Sequence, residues 1–160
     1  MIMPGFAKPF HIVLVEPEIP PNTGNIARLC GATESVLHLV GPLGFSLNDR
    51  YLKRAGLDYW DAVDVRRWPS LEALQEAFPG VRYWYTSKKA RRSYAQAEYR
   101  PGDFLVFGKE TQGLPEDLLS RHAGRCLRIP IFSDRVRSLN LSTATGIVLY
   151  EALRQTGRLD

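Results

Sequence analysis

Three polar stretches of this chain hold residue types that can bind and orient a ligand. In NTGNIAR (22–28), Asn25 and Arg28 are three apart and so share one helical face, and Gly24 permits a tight backbone. In GKETQGLP (108–115), Gly108 and Gly113 bracket Glu110. The third is a polar loop from Ser133 to Leu139 with Arg135 and Arg137. It runs into Asn140-Leu-Ser142 and a long apolar helix, Leu141 to Arg154, that carries Tyr150. Asn140 and Ser142 are both suited to cap that helix, because a short side-chain oxygen accepts from unpaired first-turn N–H groups. Strand, polar loop and helix N-terminus make a place where backbone groups meet a ligand. The same residues fit an ordinary capped helix and surface side chains, so they define a candidate site without specifying a reaction.

A further stretch points to a polyanion. From Tyr83 to Arg100 the chain reads YWYTSKKARRSYAQAEYR: Lys88, Lys89, Arg91, Arg92 and Arg100 face only Glu98, with Tyr94 and Tyr99 interleaved. Cations neutralise phosphates, and unpaired bases stack on such rings. A solvated basic loop is the plain alternative.

The 160 residues carry a formal net charge of +4 and are 44% hydrophobic, which fits one domain, 1–160, with a real core. No run approaches the roughly 20 apolar residues of a membrane span, and MIMPGFAKPF lacks a secretory core, so the expected location is cytoplasmic, with no membrane partner. Cys30 and Cys126 lie in apolar stretches without metal-ligand spacing and read as buried free thiols; His11, His38 and His122 are scattered, which argues against a zinc site. No GxGxxG follows a strand and no GxxxxGK[ST] exists, so dinucleotide and P-loop sites are disfavoured.

The elements that must position these loops alternate. Strands are expected at Phe10–Val15, Val36–Val40, Ala62–Arg67, Val81–Thr86, Asp103–Phe107 and Cys126–Ile131. Helices are expected from an Asn22 or Thr23 cap to Thr33, near Leu47–Ala55, at Leu71–Phe78, from Pro115 to His122, and at the C-terminus; three prolines deny helix to Glu16–Pro21. Continuously apolar strands alternating with helices predict an α/β fold, a mainly parallel sheet flanked by helices on both faces. Ligands of such sheets bind beyond the carboxyl ends of the strands, where the three polar stretches fall.

NTGNIARLC, FGKETQGLP and RIPIFSDRVRSLNLSTATGIVLYEALRQ resemble the three signature motifs of the SPOUT methyltransferases, in their 2′-O-ribose branch, over about Phe10 to Gly157. EPEIPPNTGNIARLC and KRAGLDYW (53–60) resemble more specifically the bacterial enzymes that methylate the wobble nucleotide 34, C or U, of tRNA. The resemblance implies a C-terminal trefoil knot, a homodimer, and S-adenosylmethionine as methyl donor, without a metal. It implies that Thr86, Gly108, Ile129, Ser138 and Leu139 hold that cofactor. It further implies Arg28 as activator of the 2′-hydroxyl, with Asn25, Glu110 and Asn140 in support and Glu110 orienting Arg28 or a main-chain donor. Lys53, Arg54, Lys88, Lys89, Arg91 and Arg92 would hold the anticodon stem-loop, and Tyr150 would touch RNA or a partner subunit, or pack in the core. The Ser133–Arg137 loop is one residue longer than the family pattern. The same motifs would suit another tRNA site, ribosomal RNA, or a non-catalytic RNA-binding member, and a small-metabolite enzyme is the reading the basic stretch disfavours.

Overall fold

The apolar runs all enter one sheet. The computed structural model describes residues 8–52, 54 and 60–160. Its strands are β1 (His11–Val15), β2 (Val36–Val40), β3 (Val65–Trp68), β4 (Tyr83–Thr86), β5 (Phe104–Phe107) and β6 (Cys126–Leu127). Their order is β3-β2-β1-β5-β4-β6, and every neighbouring pair is parallel. The helices are α1 (Pro20–Thr33), α2 (Leu71–Ala77), α3 (Glu116–Arg121) and α4 (Leu141–Gln155).

Side chains alternate across a strand, so each buried strand feeds two cores. On one face Ile12, Leu14, Leu37 and Leu105 pack with Ile26 and Cys30 of α1 and with Val148, Leu149 and Leu153 of α4. On the other, Val13, Tyr85, Phe104 and Val106 pack with Leu74 of α2 and Leu118 of α3. Both cysteines are free and buried, and burial pushes the Cys30 thiol up to about 12. Among the described residues no helix is long and apolar enough to cross a membrane.

Several boundaries differ from expectation. Helix α1 starts at Pro20, not after Asn22. Prolines 20 and 21 occupy the first turn, where a missing N–H costs nothing, and Ile19 is the N-cap without a side-chain bond. Asn22 and Thr23 are therefore helical residues rather than caps. Strand β6 ends at Leu127 instead of Ile131: its partner β4 stops at Thr86, and Pro130 has no N–H to give a ladder. Strand β3 begins at Val65, after a turn closed by Val63 N–H to Trp60 O. Pro115 is the N-cap of α3, not its first helical residue. In the expected helix Leu47–Ala55, helical backbone starts at Arg50, and Asp49 Oδ1 accepts from Tyr51 N (2.8 Å) and Leu52 N (3.3 Å); Lys53 and Ala55 lie outside the described residues.

The loop between β4 and β5 is strapped to the C-terminal segment. Arg128 N donates to Arg92 O (2.9 Å) and Tyr94 N to Arg128 O (2.7 Å). Gln155 accepts from Tyr99 N (3.0 Å) and donates to Ala97 O (2.9 Å). Tyr99 is buried against Trp84 with its hydroxyl on Tyr94 O (2.6 Å), and Tyr94 packs on the core. Tyr99 is a core residue, which corrects its reading as a base-stacking platform, and Tyr94 is half-buried against the same core.

Two of the three histidines, half-buried His11 and buried His38, form a relay. Trp68 Nε1 donates to His38 Nδ1 (2.9 Å), and His38 Nε2 lies 2.8 Å from His11 Nδ1, with Phe104 stacked on His11. The tryptophan can only donate, so neutral His38 carries its proton on Nε2 and donates to His11. Burial lowers both rings, His11 to about 4 and His38 to about 3, with Arg66 adding to the effect and Asp64 opposing it. The unfolded chain takes up these protons below about 6.5 while the folded chain does not, so stability falls as pH drops from 6.5 towards 4. Urea unfolding at pH 7.5 and pH 5 is expected to show a loss of roughly 1–2 kcal/mol after allowance for partial solvent screening. A midpoint that does not move over that range would contradict the relay.

Candidate active site

The carboxylate of Glu110 gathers the loops that follow β1 and β5. Glu18 N–H donates to its Oε1 (2.9 Å), and Ile19 N–H (2.8 Å) and Asn22 Nδ2 (3.2 Å) donate to its Oε2. The N–H groups just before α1 lack partners within the helix, and the carboxylate supplies them while placing negative charge at the positive end of the helix dipole. Of its two expected partners, Glu110 thus takes main-chain donors. The return contact comes from Glu18, whose Oε1 accepts from Thr111 N (3.1 Å) and Oγ1 (2.8 Å); these bonds hold its carboxyl below the ordinary range.

Asn22 carries the connection to the third loop. Its Oδ1 accepts from Asn140 Nδ2 (3.0 Å). Asn140 Oδ1 in turn caps α4 through Ser142 N (2.9 Å) and Thr143 N (3.4 Å), and receives Ser142 Oγ (2.6 Å). Of the two candidate caps, Asn140 does the capping and Ser142 supports it. One chain of bonds therefore runs Glu110–Asn22–Asn140–α4 and ties all three motif loops. Asn22 is the member that sequence reasoning assigned to capping. It opens the NTGNIAR motif, but only the proline-first start of α1 makes it a buried helical residue.

Asn25 and Arg28 lie on the exposed side of α1, which packs on α4. Thr86, Gly108 and Ile129 sit at or just past the carboxyl ends of β4, β5 and β6, which are adjacent in the sheet. Thr86 Oγ1 donates to Val106 O (3.1 Å). A Cβ at Gly108 would lie 2.1 Å from the Gly113 carbonyl carbon, so the turn closed by Gly113 N to Lys109 O (2.9 Å) admits only glycine there. Ser138 is exposed and Leu139 half-buried, in a loop whose Phe132 is 97% exposed. A cavity of about 710 Å³ borders this end of the sheet at Ser87, beside Thr86, and is lined mainly from the 89–96 loop and α3; none of the five expected cofactor residues lines it.

The donor set suits a nucleoside carrying an amino acid: a hydroxyl at Thr86 and at Ser138, apolar Ile129 and Leu139, and main-chain groups at Gly108. Arg128, next to Ile129, keeps a buried Nη1 without a hydrogen-bond partner among the described residues. The expected RNA contacts divide. Arg54, Lys88, Arg91 and Arg92 are exposed, Lys89 pairs with Glu116 (2.7 Å), Tyr150 is 45% exposed on α4, and Lys53 lies outside the described residues.

Glu110 answers three donors with two oxygens, so Glu110→Gln turns one acceptor into a donor facing donors. The expected cost is roughly 1–3 kcal/mol in urea unfolding. Paired with Asn22→Ala, the two losses should fall well short of adding. Strict additivity would show that the bonds do not act as one unit.

Comparison with known proteins agrees with this geometry. Residues 9–150 match the SpoU rRNA Methylase family. The tRNA (cytidine(34)-2'-O)-methyltransferase of Aeromonas hydrophila subsp. hydrophila is 46% identical over 147 residues, covering 91% of this chain and 94% of its own. A solved structure described as giving insights into 2-OH methylation of C/U34 on tRNA superposes with a TM-score of 0.88 at 48% identity, over 92% of this chain and 96% of that one. The AdoMet-bound rRNA methyltransferase of Sinorhizobium meliloti superposes at 0.81 and 30% identity, over 96% of this chain and 58% of its own. With its parallel sheet, its three tied loops and a match that spans most of its length, the chain belongs to the SpoU methylase family.

Proposed function

We propose that this chain transfers a methyl group from S-adenosylmethionine to the ribose 2′-oxygen of nucleotide 34, C or U, of tRNA, as a cytoplasmic homodimer that grips the anticodon stem-loop. The observation that carries the reading is the Glu110–Asn22–Asn140 tie, in a chain 46% identical to an enzyme of that name. In this reading residues 1–160 form a single domain. The straps from the 87–103 loop to Arg128 and Gln155 are the contacts a knotted C-terminus would use.

Thr86, Gly108, Ile129, Ser138 and Leu139 would hold the cofactor, which supplies a methyl group on a sulfonium leaving group. The chain's own residues then have two tasks: to align the ribose oxygen in line with that methyl and to make it more nucleophilic. Arg28 performs the second. A guanidinium resists deprotonation, so its cation holds a substrate phosphate and stabilises the developing alkoxide. Asn25, one turn away on the same exposed face, gives neutral hydrogen bonds to the ribose. Glu110 and Asn140 act through the backbone, fixing the start of α1 against the start of α4 so that the Arg28 side of α1 is set relative to the cofactor loops.

A second reading, 2′-O-methylation of ribosomal RNA, is favoured by the rRNA methyltransferase that superposes on 96% of this chain. Labelled methyl transfer to bulk tRNA and to ribosomal RNA, followed by nuclease mapping, separates the two. Label is expected at the wobble ribose, with Arg28→Ala lowering transfer by about 10²- to 10³-fold, as loss of a charge-stabilising group does. Label confined to ribosomal RNA would replace the substrate, and undiminished transfer by Arg28→Ala would remove Arg28 from the chemistry.

A further inference from the structure

Arg92 does not follow its basic neighbours. Its main-chain carbonyl receives Arg128 N–H just past β6, but its side chain reaches back and donates Nη1 to Gly124 O (3.2 Å), before β6 begins. There it joins Arg82 and Arg125 around the indole of Trp84. The guanidinium carbons of Arg82, Arg92 and Arg125 lie 5.5, 5.7 and 4.7 Å from that ring's centroid. Arg100 adds its charge nearby: its main-chain N–H is on Asp103 Oδ2 (2.9 Å), and its guanidinium is close enough to act electrostatically on Arg125. Positions 82, 100 and 125 all precede the first residues of β4, β5 and β6, which are neighbours in the sheet. The group therefore lies at the amino ends of the strands, away from the three motif loops. A four-residue strand separates the two ends by about 13 Å.

The charge here is not balanced from within. Asp103 is buried and already serves Arg82 Nε (3.0 Å), Trp84 Nε1 (2.9 Å) and the Arg100 N–H. Glu98 lends Arg82 its carbonyl oxygen and keeps an exposed carboxylate. Among the described residues, Asp103 is thus the carboxylate bonded within a group of four guanidiniums. Arg125 is held below the usual arginine range, first by burial, with Arg82, Arg92 and Arg100 adding to the effect and Asp103 opposing it. Among the described residues the side chain of Arg100 makes no hydrogen bond. A surface of crowded, partly desolvated arginines attracts an anion whose oxygens pair with several N–H groups at once.

We propose that Arg82, Arg92 and Arg125, set around Trp84, form with Arg100 a phosphate-binding surface that holds the RNA backbone beyond the target nucleotide. RNA is the occupant because Arg92 also lines, with Lys89 and Arg91, the cavity that opens beside Ser87 at the cofactor end, which links the two ends. The two ends together make a basic stripe long enough for a few nucleotides of backbone. Such contacts position the RNA and do not read its sequence. The inference rests on the reading of this chain as an enzyme of RNA.

The test is tRNA binding by fluorescence anisotropy over a salt series, with full-length protein and the double variant Arg100→Gln/Arg125→Gln. A matched variant, Arg66→Gln/Arg67→Gln, removes the same charge from β3 at the opposite edge of the sheet. The slope of log affinity against log salt is expected to fall by about 0.7–0.9 for each arginine removed from the patch, and to stay at the wild-type value in the matched variant. Arg100→Gln alone is read in the same way if the double variant melts early. Equal slopes in wild type and patch variants, an equal drop in the matched variant, or no tRNA binding by wild type would each overturn the surface. Methyl transfer by wild type is measured in parallel. Binding with the expected slopes but without transfer keeps the surface and overturns the proposed reaction instead.

Discussion

One carboxylate decides how this site is assembled. A parallel sheet brings all its strand ends to one side, but it does not fix the loops beyond them, which are free to move once the ladder stops. Glu110 removes that freedom at two loops at once by accepting from Glu18 N, Ile19 N and Asn22 Nδ2. The two main-chain donors would otherwise be unpaired just before a helix, so these bonds serve folding and positioning alike. Gly108 is the corollary: the loop that presents Glu110 folds back so tightly that a methyl group in its place would meet the Gly113 carbonyl.

The consequence passes to α4 through two asparagines. An amide can donate and accept together, which a carboxylate or an ammonium cannot. Asn22 uses both functions, giving to Glu110 and receiving from Asn140, and Asn140 does the same between Asn22 and the first turn of α4. Substituting Asp at either place would set two acceptors face to face. The start of α1, the start of α4 and the β5 loop are therefore one rigid piece, and Arg28, two turns along α1 from Asn22, inherits its position from it.

Much of this was legible in the sequence because it depends on local chemistry. Continuous apolar strands, Asn140 as a cap with Ser142 N on its Oδ1, and the glycines around Glu110 all state their roles in single residues or short spacings. The start of α1 was not legible, because two prolines exclude a helix interior yet favour a first turn, and only the Glu110 carboxylate, about ninety positions away, decides between these. The length of β6 failed for a related reason. RIPI is apolar enough for a strand, but the ladder ends where β4 does, and that is a property of the neighbour. His11 and His38 were placed in strands by their apolar surroundings, but their bond to one another spans two strands, and nothing in either run announces it.

The basic stretch shows why a charge run read along the chain misleads. Tyr83–Arg100 looked like one cationic surface with stacking rings. Folded, it serves four purposes. Tyr99 is drawn into the core, where the strap to Gln155 holds that part of the loop inward, and Tyr94 packs half-buried against it. Lys89 is pinned to Glu116 of α3, Lys88 and Arg91 face solvent, and Arg92 crosses to the other end of β6. Alternation along a loop has no fixed period, so the direction of each side chain is set by what the backbone on either side is bonded to. Here the ladder-like bonds between 92–94 and 128 fix the loop beside β6 and send the Arg92 side chain towards Trp84. The cations that sequence order places together are thereby divided between two ends of the sheet, and Arg82 and Arg125, from other elements, become neighbours of the ones that leave.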